Sequence, residues 1–164
     1  PFYKRDKYVS NILRALDKEN EKLQFKVEII FIDSNSSQIL EDTITNFNFI
    51  SDLYARVVNT DNNAVAKRNL GIQEAASDNI IFLDDDCVPC EDFIKNHFEN
   101  LDNSSDKIIY CGIVKFSEEL CKVSNYYRFR DSRHRTFDFL YSSNNNIDFN
   151  NFITMNMSFK KVMY

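Results

Sequence analysis

Glycine is scarce in this sequence of 164 residues, which contains only Gly71 and Gly112. The two glycines are isolated, so they do not form a glycine-rich turn. Such a turn at the start of a helix is the usual way in which α/β nucleotide-binding proteins hold phosphate groups. The composition therefore argues against a dinucleotide-binding fingerprint and against a P-loop.

Long apolar runs are also missing from the chain. No segment approaches the roughly 20 apolar residues that span a bilayer, and the amino terminus has no signal-peptide pattern. We therefore expect a cytoplasmic protein. The chain begins without a Met and stops within what resembles an ordered segment, so we also expect it to be a fragment.

The net charge of −5 is mild and gives no support to a nucleic-acid partner. Its distribution is uneven, because the segment from residue 120 onward has seven basic residues against three acidic ones, a local balance of +4. The first 119 residues consequently carry −9. The basic segment over 128–135 could bind an anionic acceptor, a second phosphate or the inner face of a membrane, or it could be an ordinary solvated surface.

The four cysteines do not form a recognisable disulfide or zinc pattern. Cys87 and Cys90 make one Cys-x-x-Cys pair, but Cys111 and Cys121 do not make a second close pair. We expect reduced structural thiols, with a zinc site or a redox dithiol as the weaker alternative.

Hydrophobic periodicity predicts alternating helices and strands. The predicted elements are a helix over 6–22, a strand over 27–32, a helix over 38–50, a strand over 54–58, a helix over 64–75, a strand over 80–83, a helix over 91–101, and strands over 107–116 and 152–159. The segment over 126–141 has no clean period, and the Asn-rich segment over 142–151 is typical of a loop. This alternation predicts an α/β domain with a mostly parallel central sheet flanked by helices.

Acidic side chains follow two of the predicted strands. Asp33 follows the strand over 27–32, and Asp84, Asp85 and Asp86 follow the strand over 80–83. Ligands of open α/β sheets bind beyond the carboxyl ends of the strands. Three adjacent carboxylates repel one another, and no basic residue lies within several positions, so a divalent cation is the best counter-charge. In an extended backbone Asp84 and Asp86 point to one side, where they suit Mn²⁺ or Mg²⁺ bound to a diphosphate.

Five segments then form an ordered series of motifs along the chain. They are Pro1-Phe2-Tyr3-Lys4-Arg5, the strand and turn over 27–37 with its Asp-Ser-Asn sequence, the segment over 63–71 with its Ala-Lys-Arg-Asn-Leu-Gly sequence, Phe82-Leu83-Asp84-Asp85-Asp86, and the segment over 154–161 with its Asn-Met-Ser-Phe-Lys sequence. This series resembles the nucleotide-sugar-binding half of family 2 glycosyltransferases, which have the GT-A (Rossmann-like) fold. One departure is Lys4, where the family usually has Asn.

The resemblance implies a donor site for a nucleotide sugar, most simply a UDP-linked one. Tyr3 would lie against the base, and Asp33 would accept a hydrogen bond from the base or ribose. Arg68 would lie near the nucleotide, while Asp84 would face the ribose or sugar. Asp85 completes this set of donor-binding residues.

The same resemblance implies that Asp86, with Asp84, holds Mn²⁺ or Mg²⁺ on the diphosphate. It also implies an inverting transfer to a glycan or lipid-linked acceptor. The general base of inverting members would follow Tyr164, so the sequence names no catalytic residue. Residues 1–116 would form the nucleotide-sugar-binding subdomain, and residues 117–164 an incomplete segment on the acceptor side.

Other interpretations of these residues stay open. Asp33 could simply cap the following helix, and Asp84, Asp85 and Asp86 could form a solvated turn. A metal-dependent nucleotidyltransferase also places carboxylates at strand ends, although the glycine-free amino-terminal segment does not favour it. The chain could also be a non-catalytic nucleotide-binding fragment. We expect His97 to be a core or surface histidine rather than a ligand.

Overall fold

The computed structural model describes residues 6–103, 107–141 and 154–164, with side chains described for 7–103, 107–134 and 154–164. The helices are α1 (Asp6–Asn20), α2 (Gln38–Thr45), α3 (Ala64–Glu74), α4 (Phe93–Asp102), α5 (Glu118–Val123) and α6 (Asn125–Tyr141). The strands are β1 (Glu28–Asp33), β2 (Tyr54–Asn59), β3 (Asn79–Leu83), β4 (Tyr110–Cys111) and β5 (Asn156–Lys160), and a short 3₁₀ turn follows at Lys161–Met163.

The first helix forms because its apolar residues recur along one face. Val9, Ile12, Leu13 and Leu16 are all buried, and this stripe packs against the strands and their loops. The prediction of a helix over 6–22 is therefore confirmed to within two residues of its end. The helix predicted over 38–50 is shorter, because α2 ends at Thr45 and Asn46 caps it.

The sequence pattern predicted no element over 126–141, and these residues belong to α6. The long strand predicted over 107–116 was wrong, because only Tyr110 and Cys111 of this segment pair in a sheet. Aromatic and basic residues alternate irregularly along α6, so its sequence has no regular apolar stripe. The described part of the helix contacts the short helix α5, and the ring of Phe116 lies against Tyr127 and His134.

The strands form two sheets in the described part of the chain. β1 and β2 pair in parallel, with Ile29 opposite Ala55 and Asp33 opposite Asn59. β3 belongs to an antiparallel sheet of order β3-β5-β4. The mostly parallel central sheet expected from the sequence is thus present only as the β1–β2 pair. The apolar run of β3 correctly predicted a strand, but its observed neighbour is the antiparallel β5.

Gly112 follows β4 directly, and its backbone lies very close to β5. A Cβ atom at this position would lie 2.3 Å from Nδ2 of Asn156. The backbone N–H of Gly112 instead donates to the carbonyl of Asn156 at 2.9 Å. The glycine is therefore required by contact with β5 rather than by an unusual backbone angle.

The boundary predicted between residues 116 and 117 stays a prediction. β5, which comes late in the chain, inserts between β3 and β4 and so ties the end of the chain to earlier strands. Within the described residues, no helix has both the length and the apolar character needed to cross a membrane.

Candidate functional site

Arg68 and Asp84 meet where α3 passes the carboxyl end of β3. The Nη2 atom of Arg68 lies 3.2 Å from Oδ1 of Asp84, and the two side chains are 20% and 23% exposed. The Nε atom of Arg68 is buried and has no hydrogen-bond partner in the part of the chain that the structure describes. Arg68 therefore neutralises the carboxylate while keeping a donor available.

The start of α3 holds Arg68 in this position. Asn63 caps the helix, and its side-chain oxygen accepts hydrogen bonds from the backbone of Val65 at 2.9 Å and Ala66 at 3.1 Å. An α-helix makes one turn every 3.6 residues, so Arg68 lies about one turn after this cap. Its side chain there reaches Asp84 at the end of β3. Its neighbour Lys67 is buried and lies beside the same strand ends, a position that the sequence did not single out.

Asp33 organises the loop that follows β1. Its carboxylate is fully buried and accepts three backbone hydrogen bonds, from Ser34 at 2.7 Å, Asn35 at 3.1 Å and Ser37 at 2.9 Å. The cap of α2 is Ser37, whose hydroxyl accepts from Leu40. Asp33 thus anchors the turn without being the helix cap, and its carboxylate has capacity for about one further donor.

The loops after β1 and β2 are joined at this edge. The backbone of Thr60 donates to the carbonyl of Asp33 at 2.8 Å, and the hydroxyl of Ser34 donates to the side chain of Asn62 at 3.2 Å. Asn62 lies immediately before the cap of α3. The polar loop after β1 is therefore linked to the helix that bears Arg68.

Asp85 and Asp86 form a turn rather than a continuation of the strand. The backbone of Cys87 donates to the carbonyl of Asp84 at 3.0 Å and closes this turn. The backbone is therefore not extended here, and the condition under which Asp84 and Asp86 would point to one side is not met. Asp86 is exposed, whereas Asp84 and Asp85 are half-buried.

The carboxylates suit a hard divalent cation by their chemistry. Mg²⁺ and Mn²⁺ favour oxygen ligands, and Mg²⁺ in nucleotide sites is commonly held by one or two carboxylates together with phosphate oxygens. The exposed Asp86 fits this role, and Asp84 still has a second carboxylate oxygen beside the one that accepts from Arg68. Among the described residues, no group of three His, Cys, Asp or Glu side chains is arranged to hold a metal.

Two other sequence predictions concern Tyr3 and the cysteines. Tyr3 lies outside the described residues. Within the described residues, none of Cys87, Cys90, Cys111 and Cys121 forms a disulfide, and of these four only Cys90 is exposed.

A buried polar cluster behind β5 was not predicted from the sequence. Nδ1 of His97 lies 2.8 Å from the hydroxyl of Ser158, and Nε2 lies 2.7 Å from Oδ1 of Asn156. Burial lowers the pKa of His97 from its ordinary value, and the hydrogen bond to Asn156 opposes this effect. The burial of His97 confirms the expectation of a core histidine. Its two partners could not be predicted from the sequence, because Asn156 and Ser158 lie 59 and 61 positions further along the chain.

Together these features define an α/β protein with a polar site at strand ends. A half-buried ion pair, a turn with two further carboxylates and a loop held by a buried aspartate lie beyond β3 and β1. The model of the family described as glycosyl transferase family 2 matches residues 1–163. The chain therefore belongs to glycosyltransferase family 2. Comparison with curated proteins gave no match.

Proposed function

We propose that this chain is the donor-binding part of a metal-dependent glycosyltransferase. It would take a sugar from a nucleotide-diphosphate donor, most simply a UDP-linked one, and transfer it with inversion to a glycan or lipid-linked acceptor. Membership of the family supports glycosyl transfer in general. The donor, the metal, the acceptor and the stereochemistry of transfer are parts of our proposal. We also propose that the complete protein has the central sheet of the GT-A fold.

The observation that carries the proposal is the contact between Arg68 and Asp84 at 3.2 Å. A cation and an anion on separate elements meet there beside the turn that contains Asp85 and Asp86. Nucleotide sugars carry both diphosphate charge and ribose hydroxyls, so they need donors and acceptors in one place. The buried, unpartnered Nε of Arg68 is a suitable donor to such a ligand.

Each residue has a defined task in this scheme. Arg68 donates to the nucleotide and holds Asp84 in place, while Asp84 accepts from the ribose or sugar. Asp86, with Asp84, would hold Mn²⁺ or Mg²⁺, which when bound offsets the charge that develops on the departing diphosphate. Asp33 keeps the β1 loop in the shape that receives the base or ribose, and Tyr3 and Asp85 complete the donor set.

Isothermal titration calorimetry with UDP, in the presence and absence of Mn²⁺, tests the donor site. Wild-type protein should bind UDP more tightly with Mn²⁺ than without it, and Asp86→Asn should remove most of that difference. The matched control is Asp102→Asn, because Asp102 is an exposed aspartate on α4. Metal-independent binding in the wild type, or an unchanged metal effect in Asp86→Asn, would contradict the metal assignment.

Activity assays on the same protein preparation distinguish glycosyl transfer from the two alternative functions. A nucleotidyltransferase would release pyrophosphate from a nucleoside triphosphate, and a non-catalytic fragment would bind UDP without transferring or hydrolysing the donor. We favour glycosyl transfer because the family match covers nearly the whole chain.

We further propose a cytoplasmic location with peripheral contact to the inner face of the membrane. Exposed basic and aromatic side chains on α6 support this contact, and they include Arg128, Phe129, Arg130 and Arg133. Aromatic groups and cations together favour an anionic lipid surface.

A further inference from the structure

The face of the β3-β5-β4 sheet that α4 covers is apolar along β3 and polar along β5. Ile81 and Leu83 of β3 pack with residues of α4 in one hydrophobic cluster. Their partners across the strands are Ser158 and Asn156, and Ser158 is fully buried. Buried polar groups cost free energy unless they are hydrogen-bonded, so these two side chains need a polar partner on the helix.

His97 of α4 is that partner, and its surroundings define the role of each ring nitrogen. The amide nitrogen of Asn156 donates to the carbonyl of Ile113 at 3.1 Å, which leaves the amide oxygen facing the imidazole. Since that oxygen only accepts, Nε2 of His97 must donate to it. In the neutral ring, Nδ1 then accepts from the hydroxyl of Ser158. Burial lowers the pKa of His97, which favours this neutral ring.

The helix that bears His97 is itself held by α1. The backbone N–H of Lys95, in the first turn of α4, donates to Oε1 of the buried Glu19 on α1 at 2.9 Å. The rings of Phe93 and His97 are nearly perpendicular, with their centroids 4.9 Å apart. The imidazole therefore reaches β5 from a position that does not depend on β5 alone.

The pattern of apolar and polar residues does not by itself define the register of β5. A shift by one residue would turn every side chain to the opposite face of the sheet. A shift by two residues would keep the faces, because Thr154 would take the polar position of Asn156 opposite Leu83. In that register the hydrogen bonds of Asn156 to His97 and Ile113 would be lost. The hydrogen bonds of His97 thus select one register among those that the apolar pattern allows.

This register also determines where the backbone of Asp84 lies. Asp84 comes directly after β3, and its N–H donates to the carbonyl of Met155 at 3.1 Å. On the other side of β5, the N–H of Gly112 donates to the carbonyl of Asn156 at 2.9 Å. Because Met155 and Asn156 are neighbours in sequence, both backbone bonds depend on the register that His97 selects.

We propose that His97 is a positioning residue of the donor site, which fixes the backbone of Asp84 through Asn156 and Ser158 without touching the ligand. The inference rests on the proposed function, in which Asp84 binds the nucleotide sugar. Asp84 is then held from two sides, by Arg68 at its carboxylate and by β5 at its backbone. Loss of the imidazole should therefore weaken donor binding as well as stability.

The test compares His97→Leu with His97→Gln, because a glutamine amide can replace Nε2 as the donor to Asn156. Ile44→Ala is the matched control, since Ile44 is buried in the cluster formed by α1, α2 and β1 and its loss destabilises the protein from another place. Circular dichroism first establishes that each variant is folded. Calorimetry with UDP and Mn²⁺ then gives the affinity.

Amide hydrogen exchange provides a second measurement that needs no ligand. The amides of Asp84 and Gly112 report on the backbone contacts of β5. The amide of Thr60, which donates to the carbonyl of Asp33 at 2.8 Å, reports on the β1–β2 pair and serves as the internal reference.

We expect His97→Leu to weaken UDP binding at least about tenfold and to speed exchange at Asp84 and Gly112 by a similar factor relative to Thr60. His97→Gln should recover most of both effects, and Ile44→Ala should leave the UDP affinity of the folded protein unchanged. If His97→Leu does not fold, Ser158→Ala replaces it with the same expected selectivity, because it removes only the donor to Nδ1.

Two results would overturn the proposal. One is exchange that speeds equally at Asp84 and Thr60, which would make His97 a general stabilising residue. The other is an unchanged UDP affinity in His97→Leu. A wild-type protein that does not bind UDP would instead contradict the proposed function, and exchange at Asp84 and Gly112 would still confirm or refute the positioning by His97.

Discussion

The guanidinium of Arg68 lies 3.2 Å from the carboxylate of Asp84, which joins the second turn of α3 to the end of β3. The ion pair is half-buried, so each partner limits the desolvation cost of the other. This contact holds the carboxylate of Asp84 in place within the proposed donor site.

Replacing Arg68 by Ala should weaken the binding of UDP by about tenfold to a hundredfold. The estimate corresponds to loss of a charge-assisted hydrogen bond, which contributes about 1.5–3 kcal/mol. Arg68→Lys should recover only part of the affinity, because an ammonium lacks the planar fork of a guanidinium. Calorimetry with UDP and Mn²⁺ measures both variants.

Arg14→Ala is the control for this series, since Arg14 is an exposed arginine on α1. It should bind UDP as the wild type does. If Arg68→Ala also retained wild-type affinity, Arg68 would be a structural partner of Asp84 and not a donor contact.

Asp33→Ala should destabilise the protein even when no nucleotide is present. The substitution leaves three backbone N–H groups of the β1 loop without their acceptor, and we expect a loss of about 2–4 kcal/mol in the free energy of unfolding. Asp33→Asn should be intermediate, because it keeps one acceptor oxygen. Urea denaturation monitored by circular dichroism measures these changes.

Ser37→Ala provides the comparison for Asp33. Ser37 is the cap of α2, so its loss should cost about 1 kcal/mol. A larger effect for Ser37→Ala than for Asp33→Ala would show that the loop is held mainly by the cap and would contradict the anchoring role of Asp33.

Local sequence patterns predicted most of the elements that form the site. The apolar runs before Asp33 and Asp84 became β1 and β3, and the spacing of Ala64 to Ala75 predicted α3. These features depend on contacts between near neighbours in sequence, so periodicity and capping residues are sufficient to find them.

The pairing of these elements could not be predicted in the same way. The sequence has no basic residue close to Asp84, yet the fold supplies Arg68 from 16 positions away. β3 was expected in a parallel sheet, but an apolar run is compatible with either direction of its neighbour, and β5 pairs with it in the antiparallel sense. Both misses concern partners that only the tertiary fold brings together.

Stability should fall as the pH is lowered below about 6.5, and His97 should be responsible for part of the loss. Burial lowers the pKa of His97 in the folded protein, so the unfolded chain binds a proton at a higher pH than the folded one does. The contribution of neutral His97 to stability is complete above its ordinary pKa. It is lost as the pH falls from that value toward the lowered pKa of the folded protein. One proton changes the free energy of unfolding by at most about 1.4 kcal/mol per pH unit.

Urea denaturation between pH 5 and pH 8 isolates this effect when wild type and His97→Gln are compared. The variant should show a smaller decrease in stability on acidification, whatever its stability at pH 8. His134→Gln serves as the control, because His134 lies on α6 away from the cluster with Ser158 and Asn156. Identical pH slopes for wild type and His97→Gln would contradict the assignment.

The exposed face of α6 should bind vesicles that contain anionic lipid and should not bind neutral vesicles. Tyr126 and Phe129 are each 60% exposed, and Arg128, Arg130 and Arg133 are exposed beside them. A basic residue near an anionic surface contributes about 1 kcal/mol, so Arg130→Gln should weaken binding roughly fivefold, and Phe129→Ala should weaken it by loss of inserted apolar area. Co-sedimentation with phosphatidylserine vesicles measures the change.

Lys18→Gln, at the exposed end of α1, is the control and should bind as the wild type does. If it lowered binding as much as Arg130→Gln, the attraction would arise from general charge and not from the face of α6.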